Sequence, residues 1–187
     1  MLKDAEKRGN EIFQKLRGTN INTLAELVQT VPGTSRKIYY MGVVLETLDF
    51  ATSGIVPCKA GCSSCCHMAT NVTLREAQDI AKASGRALTI PTATMTDDEA
   101  IAAFEGTPCP FLVDNKCSVY ASRPFSCRAH YSVDRDNLLC KVVPGSSILA
   151  PTFNNQQFAL LNALTYERAD LLQYADIREY FPPEITP

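Results

Sequence analysis

Eight cysteines lie between Cys58 and Cys140, and none stands before or after them. Cys58, Cys62, Cys65 and Cys66 fall within nine residues, in the run Cys-Lys-Ala-Gly-Cys-Ser-Ser-Cys-Cys-His, and Cys109, Cys117, Cys127 and Cys140 follow. A set confined to the middle of a chain needs one cause: disulfides, buried thiols or metal. Disulfides persist in oxidising compartments and staple domains too small to build a core. This chain opens Met-Leu-Lys-Asp-Ala-Glu-Lys-Arg, which is charged and unlike a signal peptide, and its 187 residues suffice for a core without staples. Free cysteine also packs as a small hydrophobe. That reading suits Cys140, after Leu138-Leu139, as well as metal does. It does not suit four cysteines spaced by lysine, glycine and serine.

Metal has a positive argument. Zn²⁺ or an iron–sulfur cluster takes about four thiolates converging on one point. Cys62-x2-Cys65 supplies two sulfurs from one turn, and Gly61 opens turn geometries closed to other residues. Neighbouring side chains diverge, so Cys65 and Cys66 are not expected on one ion. Either there are two metal sites or one of the pair has another role. All eight cysteines are candidate ligands.

The remaining composition narrows the function classes. A formal charge of -2 and a pI near 5.7 give no concentrated basic surface for nucleic acid. No apolar stretch reaches the roughly 18 residues needed to span a membrane. The expectation is a cytoplasmic protein in a reducing environment, without nucleic acid or membrane, with a protein partner left open. The chain reads as one domain, 1–187, with a cysteine-rich metal-binding core at 55–140 and helical flanks at 1–50 and 152–181.

Punctuation along the chain supports a mainly α fold. Leu2, Ala5, Ile12, Phe13 and Leu16 mark an amphipathic helix over 1–17, ended by Gly18. Thr23-x-x-Glu26 reads as a capping box. Beyond the Pro32-Gly33 turn, Ile38, Met41, Val44, Leu45 and Leu48 predict a helix over 35–50 facing the core, with Tyr39 and Tyr40 in core or rim packing. Thr73-x-x-Glu76 and Thr96-x-x-Glu99 predict two more helix starts, with stops at Gly85 and Gly106. Phe111-Leu112-Val113 and Ser118-Val119-Tyr120 have strand composition around an Asp114-Asn115 turn, predicting a short β-hairpin. Pro108 and Pro110 stiffen the backbone around Cys109. Val142 to Pro151 reads as a linker, and the apolar positions from Phe158 to Ala175 predict one long helix over 155–180, packed on the earlier helices. The fold class is thus a helical domain with a small irregular cysteine-rich lobe containing a short β-hairpin.

Arg123 and Arg128, in Tyr120-Ala-Ser-Arg123-Pro124-Phe-Ser-Cys127-Arg128, are candidate cofactor-binding residues, because guanidinium groups offset and hydrogen-bond a thiolate-rich site. His67 and His130 are weaker candidates for ligation. Cys-Lys-Ala-Gly-Cys-Ser-Ser-Cys-Cys, Cys-Pro-Phe-Leu and Cys-Ser-Val-Tyr-Ala-Ser-Arg-Pro-Phe-Ser-Cys-Arg, with Tyr120, Arg123, Pro124 and Arg128 in place, resemble the YkgJ-like cysteine-cluster family of zinc- or iron-chelating domains over about residues 55–130. One spacing departs: three residues separate Cys58 from Cys62, where the family's name implies two. The resemblance implies metal chelation without a fixed reaction. A related group with a similar cysteine pattern, the flagellin lysine methylases, implies that some relatives are enzymes.

Cys58-x3-Cys62-x2-Cys65 also equals the spacing with which radical S-adenosylmethionine enzymes hold a four-iron cluster, but the strand–helix alternation of their barrel is absent. No nucleophile elbow, phosphate loop or His-Glu-x-x-His helix occurs. Spacing leaves zinc and an iron–sulfur cluster both open. The leading reading is a metal-binding protein; the alternatives are an iron–sulfur enzyme or redox protein, and a metal storage or delivery protein.

Overall fold

A computed structural model describes residues 2–143, 150–167, 171 and 173–183. In chain order the elements are α1 (Leu2–Arg17), α2 (Ile21–Thr30), α3 (Thr34–Thr52), β1 (Asn71–Thr73), α4 (Leu74–Ser84), α5 (Asp97–Phe104), β2 (Leu112–Val113), β3 (Lys116–Cys117), the short α6 (Phe125–Arg128), α7 (Gln156–Ala163), β4 (Tyr174–Asp176) and the short α8 (Ile177–Tyr180). Single 3₁₀ turns at Ser64–His67, Tyr120–Ser122 and Leu138–Cys140 carry or flank cysteines. The mainly helical class with a short β-hairpin in the cysteine-rich region is as expected, and the pairing of β1 with β4 adds a second two-stranded sheet. No helix among the described residues is long and apolar enough to cross a membrane.

The chain forms two compact units. The first gathers Met1–Cys58, Arg128–Leu139 and Leu149–Arg168; the second gathers Lys59–Cys127, Cys140–Ile148 and Ala169–Pro187. In the first unit α1, α2 and α3 bury Ala5, Ile12, Leu16, Ile21, Leu24, Val28, Met41, Val44, Leu45 and Leu48. Ile38 is only half-buried and Tyr39 is 66% exposed, standing edge-on to Tyr40, so the tyrosine pair lies on the rim. The Thr23 capping box does not form. α2 starts three residues earlier, at Ile21 instead of Leu24, because the apolar face Ile21, Leu24, Val28 begins there, and its Asn20 cap makes no side-chain bond. α3 starts beside Gly33, whose φ of +83° suits glycine. Phe153 N–H donates to Tyr131 O at 2.9 Å and Val133 N–H to Pro151 O at 2.8 Å, tying the two later segments of this unit together.

In the second unit both remaining capping boxes form as predicted, with Gly85 in the left-handed conformation closing α4. The core is Val72, Ala77, Ile80, Phe111, Val119, Ala175, Ile177, Tyr180 and Phe181, against which Cys109 and Cys117 pack. Phe111 and Phe181 meet edge to face at 4.8 Å.

Two expectations are corrected. Among the described residues, the single helix over 155–180 is broken into α7, β4 and α8. β4 pairs antiparallel with β1, Val72 opposite Ala175, so the backbone around Ala175 bonds a strand instead of a helical turn. Asp176 then starts α8 with a capping box closed by Glu179. Pro144 to Ser147, the centre of the expected linker, lies outside the described residues. The hairpin is shorter than predicted: Leu112 pairs with Cys117 and Val113 with Lys116. Ser118 N–H still reaches Phe111 O at 2.9 Å, but Tyr120 enters a 3₁₀ turn, held by Ser122 N–H on Val119 O at 2.9 Å.

Candidate metal centre

Four chain segments of the second unit carry thiols to one place. The first is the loop Lys59–His67. Gly61, at φ +87°, permits a turn in which Cys62 N–H donates to Lys59 O at 3.0 Å. A 3₁₀ turn then presents Cys65 and Cys66, with Met68 N–H closing it on Cys65 O at 3.1 Å. The second segment brings Cys109, whose N–H donates to Cys66 O at 2.7 Å, while Gly106 N–H donates to His67 O at 2.8 Å. The third is the hairpin: Cys117 sits on β3 opposite Leu112, and Leu112 N–H donates to Cys109 O at 3.0 Å. The fourth is the turn Arg123–Cys127, where Cys127 N–H donates to Pro124 O at 3.1 Å.

Cys62, Cys65, Cys66, Cys109, Cys117 and Cys127 line one cavity of about 50 Å³ of free space, together with Phe111, Val119, Tyr120, Arg123, Pro124 and Ile177. All six side chains are partly buried. Contrary to the expected divergence, Cys65 and Cys66 face the same cavity and their thiols hydrogen-bond to each other. That contact, followed by burial and the charge of Cys66, pushes the Cys65 thiol far above its ordinary range, and Arg123 opposes the shift. Burial, then Cys65 and Cys109, push the Cys127 thiol up in the same way, again against Arg123. Burial raises Cys109, against the charge of Arg178.

These shifts bear on whether a metal fits. Thiolates crowded into an apolar cavity repel one another, so Cys65, Cys109 and Cys127 hold their protons more tightly than an ordinary thiol unless a cation shares the space. A soft divalent ion or iron–sulfur cluster supplies that cation and takes thiolate ligands. Among the described residues, no three His, Cys, Asp or Glu side chains already stand at metal-bonding spacing. Ligation requires the thiol ring to contract. The donor chemistry fits a metal, and the donors exceed the four that one closed site takes.

The other sequence candidates lie elsewhere. Cys140 belongs to the second unit but does not line the cavity. Cys58 falls in the first unit, where its sulfur accepts Ser132 N–H at 3.3 Å. Arg123 lines the cavity, with its guanidinium 3.8 Å above the Tyr120 ring and its Nε donating to Tyr120 O at 3.1 Å. Arg128 belongs to the first unit and pairs with Asp49 at 3.3 Å, beside the Tyr131 hydroxyl on the same carboxylate. His67 gives the site its carbonyl as an acceptor, and its ring does not line the cavity; His130 lies in the first unit.

Sequence reasoning missed Asp176 and Arg178. Arg178 is 4% exposed and Asp176 fully buried, and they form an ion pair at 3.0 Å. The available signal was Asp176-x-x-Glu179, the same capping signature that located α4 and α5, hidden under the long-helix expectation.

A family model described as "CxxCxxCC: Putative zinc- or iron-chelating domain" matches residues 57–157, over half of the chain. No curated protein and no solved structure matches it.

Proposed function

The chain belongs to the CxxCxxCC family of zinc- or iron-chelating domains, and on that premise we propose that it holds its metal in one centre, the cavity of the second unit. Its ligands are drawn from Cys62, Cys65, Cys66, Cys109, Cys117 and Cys127. One observation carries this reading: six of the eight cysteines, from four segments spread over residues 62–127, line a single cavity. Cys58 and Cys140 are then accessory. Arg123 faces the thiolates and offsets part of their charge. Bound metal would be either zinc, which closes and stabilises the lobe, or an iron–sulfur cluster, which supplies electron transfer. Cysteines gathered as a ligand set, not spread as staples, suit a reducing compartment such as the cytoplasm.

A second reading is metal storage or delivery, favoured by the two donors in excess of four and by the adjacent Cys65 and Cys66 on the wall of one cavity. Spare thiols at the cavity wall give an outgoing or incoming ion an intermediate ligand.

The deciding experiment measures metal and acid-labile sulfide, with a visible spectrum, on protein purified without oxygen. Brown protein with iron and sulfide assigns a cluster and directs the search to redox partners. Colourless protein with stoichiometric zinc assigns a zinc site. Protein that carries no metal, and takes up neither zinc nor iron with sulfide, overturns the reading. Given bound metal, loss to a modest chelator within minutes selects delivery over a closed site.

A further inference from the structure

We infer that Arg178, set by Asp176, is a positioning residue of the metal centre: it holds the loop bearing Cys62, Cys65 and Cys66 in register with the loop bearing Cys109. The inference rests on the reading of the six-thiol cavity as the metal site. The matched family segment ends at residue 157, so β4 and α8 contribute a component from outside it.

The geometry is specific to a planar fork. Arg178 Nη2 donates to Thr107 O at 2.6 Å and Met68 O at 3.2 Å, with a longer contact to Cys66 O at 3.4 Å. Its Nη1 is held between both oxygens of Asp176, at 3.0 and 3.2 Å. Asp176 also accepts the N–H of Thr70 and that of Arg178 itself. One buried guanidinium thereby bonds the exit of the first cysteine loop and the approach to Cys109. The Cys66 carbonyl it touches also accepts Cys109 N–H at 2.7 Å. The two Nη groups of a rigid planar guanidinium satisfy such a set; an ammonium does not reproduce it. The Arg178 charge also favours thiolate at Cys109.

Groups that orient ligands without touching the metal typically change affinity by about 10–100-fold when replaced. The test titrates metal-free protein with Zn²⁺ against a chromophoric chelator for wild type, Arg178→Lys and Val72→Ala. Val72 is fully buried in the same core, but its side chain contacts no cysteine carbonyl through a hydrogen bond, so Val72→Ala reports destabilisation alone. Urea unfolding of the metal-free proteins places the two variants on one stability scale.

The expected result is zinc affinity weakened by about 10–100-fold in Arg178→Lys, and by clearly less in Val72→Ala at equal or greater loss of stability. Asp176→Asn, which frees the guanidinium, should fall on the Arg178→Lys side. Equal affinity of Arg178→Lys and wild type overturns this inference and leaves the metal reading standing. Affinity losses that follow stability across all variants also overturn it. Failure of wild type to bind zinc or iron removes the metal reading and the inference together.

Discussion

One carboxylate oxygen of Glu76 accepts the backbone N–H of Phe125 at 2.8 Å, while the other accepts Thr73 N–H at 2.9 Å and the Thr73 hydroxyl at 3.0 Å. A residue that the sequence marks as a helix cap therefore also anchors the turn that carries Cys127. Ser126 adds a second tie, its hydroxyl donating to Asn71 O at 2.8 Å. The thiol at the end of this turn is placed by polar contacts with the start of α4 as well as by packing.

Replacing Glu76 by alanine should destabilise the metal-free protein by about 2–4 kcal/mol, since it removes a cap and strands a buried N–H. Glu99 makes the same local bonds in the exposed box of α5, without a distant partner among the described residues, so Glu99→Ala should cost much less. Urea midpoints of the two variants make the comparison. Equal losses would mean that the Phe125 contact contributes nothing.

Single serine replacements of Cys62, Cys65, Cys117 or Cys127 should each lower bound metal well below one equivalent and destabilise the second unit, because metal binding and folding are coupled. Cys66→Ser and Cys109→Ser should do the same if both ligate. Cys58→Ser and Cys140→Ser should retain metal. Metal per chain, measured on protein purified without oxygen, decides. Full occupancy in all six cavity variants would show that the metal sits elsewhere.

How much of this was legible in the sequence depends on the range of the forces involved. Capping boxes at Thr73 and Thr96 are local, a side chain bonding three residues away, and they form as read. Thr23 carries the same letters, but burial of Ile21 moves the helix start ahead of it, so a tertiary contact outweighs a local cap. The cysteine set was legible as a metal site because thiols at that density have few other uses. Which six meet was not legible, because it depends on β1 pairing with β4 across about a hundred residues of chain and on the Arg178 fork bonding distant carbonyls. Leu164 and Leu171 matched a helical period and are nonetheless exposed, since periodicity records spacing and not the partner that covers it.

A pH dependence follows from His130 in the first unit. Burial disfavours its imidazolium form and lowers its pKa from the ordinary 6.5. For a base whose folded pKa is depressed, the unfolded chain binds the proton first. The stability it contributes is present above about pH 6.5 and is lost as the pH falls toward the folded value. The metal-free protein should therefore lose urea resistance between pH 7 and 5, and His130→Gln should flatten that slope. A variant with an unchanged slope would assign the loss to other groups.

The hairpin offers the most direct link between backbone conformation and metal. Asp114 and Asn115 adopt φ of +48° and +58°, the left-handed pair that a two-residue type I′ turn requires. That turn fixes the Leu112–Cys117 pairing, and with it the face of β3 from which Cys117 reaches the cavity. Asparagine and glycine tolerate this conformation, whereas a β-branched residue pays about 1–2 kcal/mol for it. Asn115→Gly should leave zinc affinity at or above that of wild type. Asn115→Val should open the turn, loosen Cys117 and weaken zinc binding by about tenfold, a change equal to 1.4 kcal/mol. The same variant should expose Cys117 to a thiol reagent in the metal-free protein, read as faster labelling by mass spectrometry. If Asn115→Val binds zinc as tightly as Asn115→Gly, Cys117 is either not a ligand or is placed by its packing against the core alone, and labelling of Cys117 in the metal-loaded protein separates those two cases: a ligated thiol stays protected, a free one reacts.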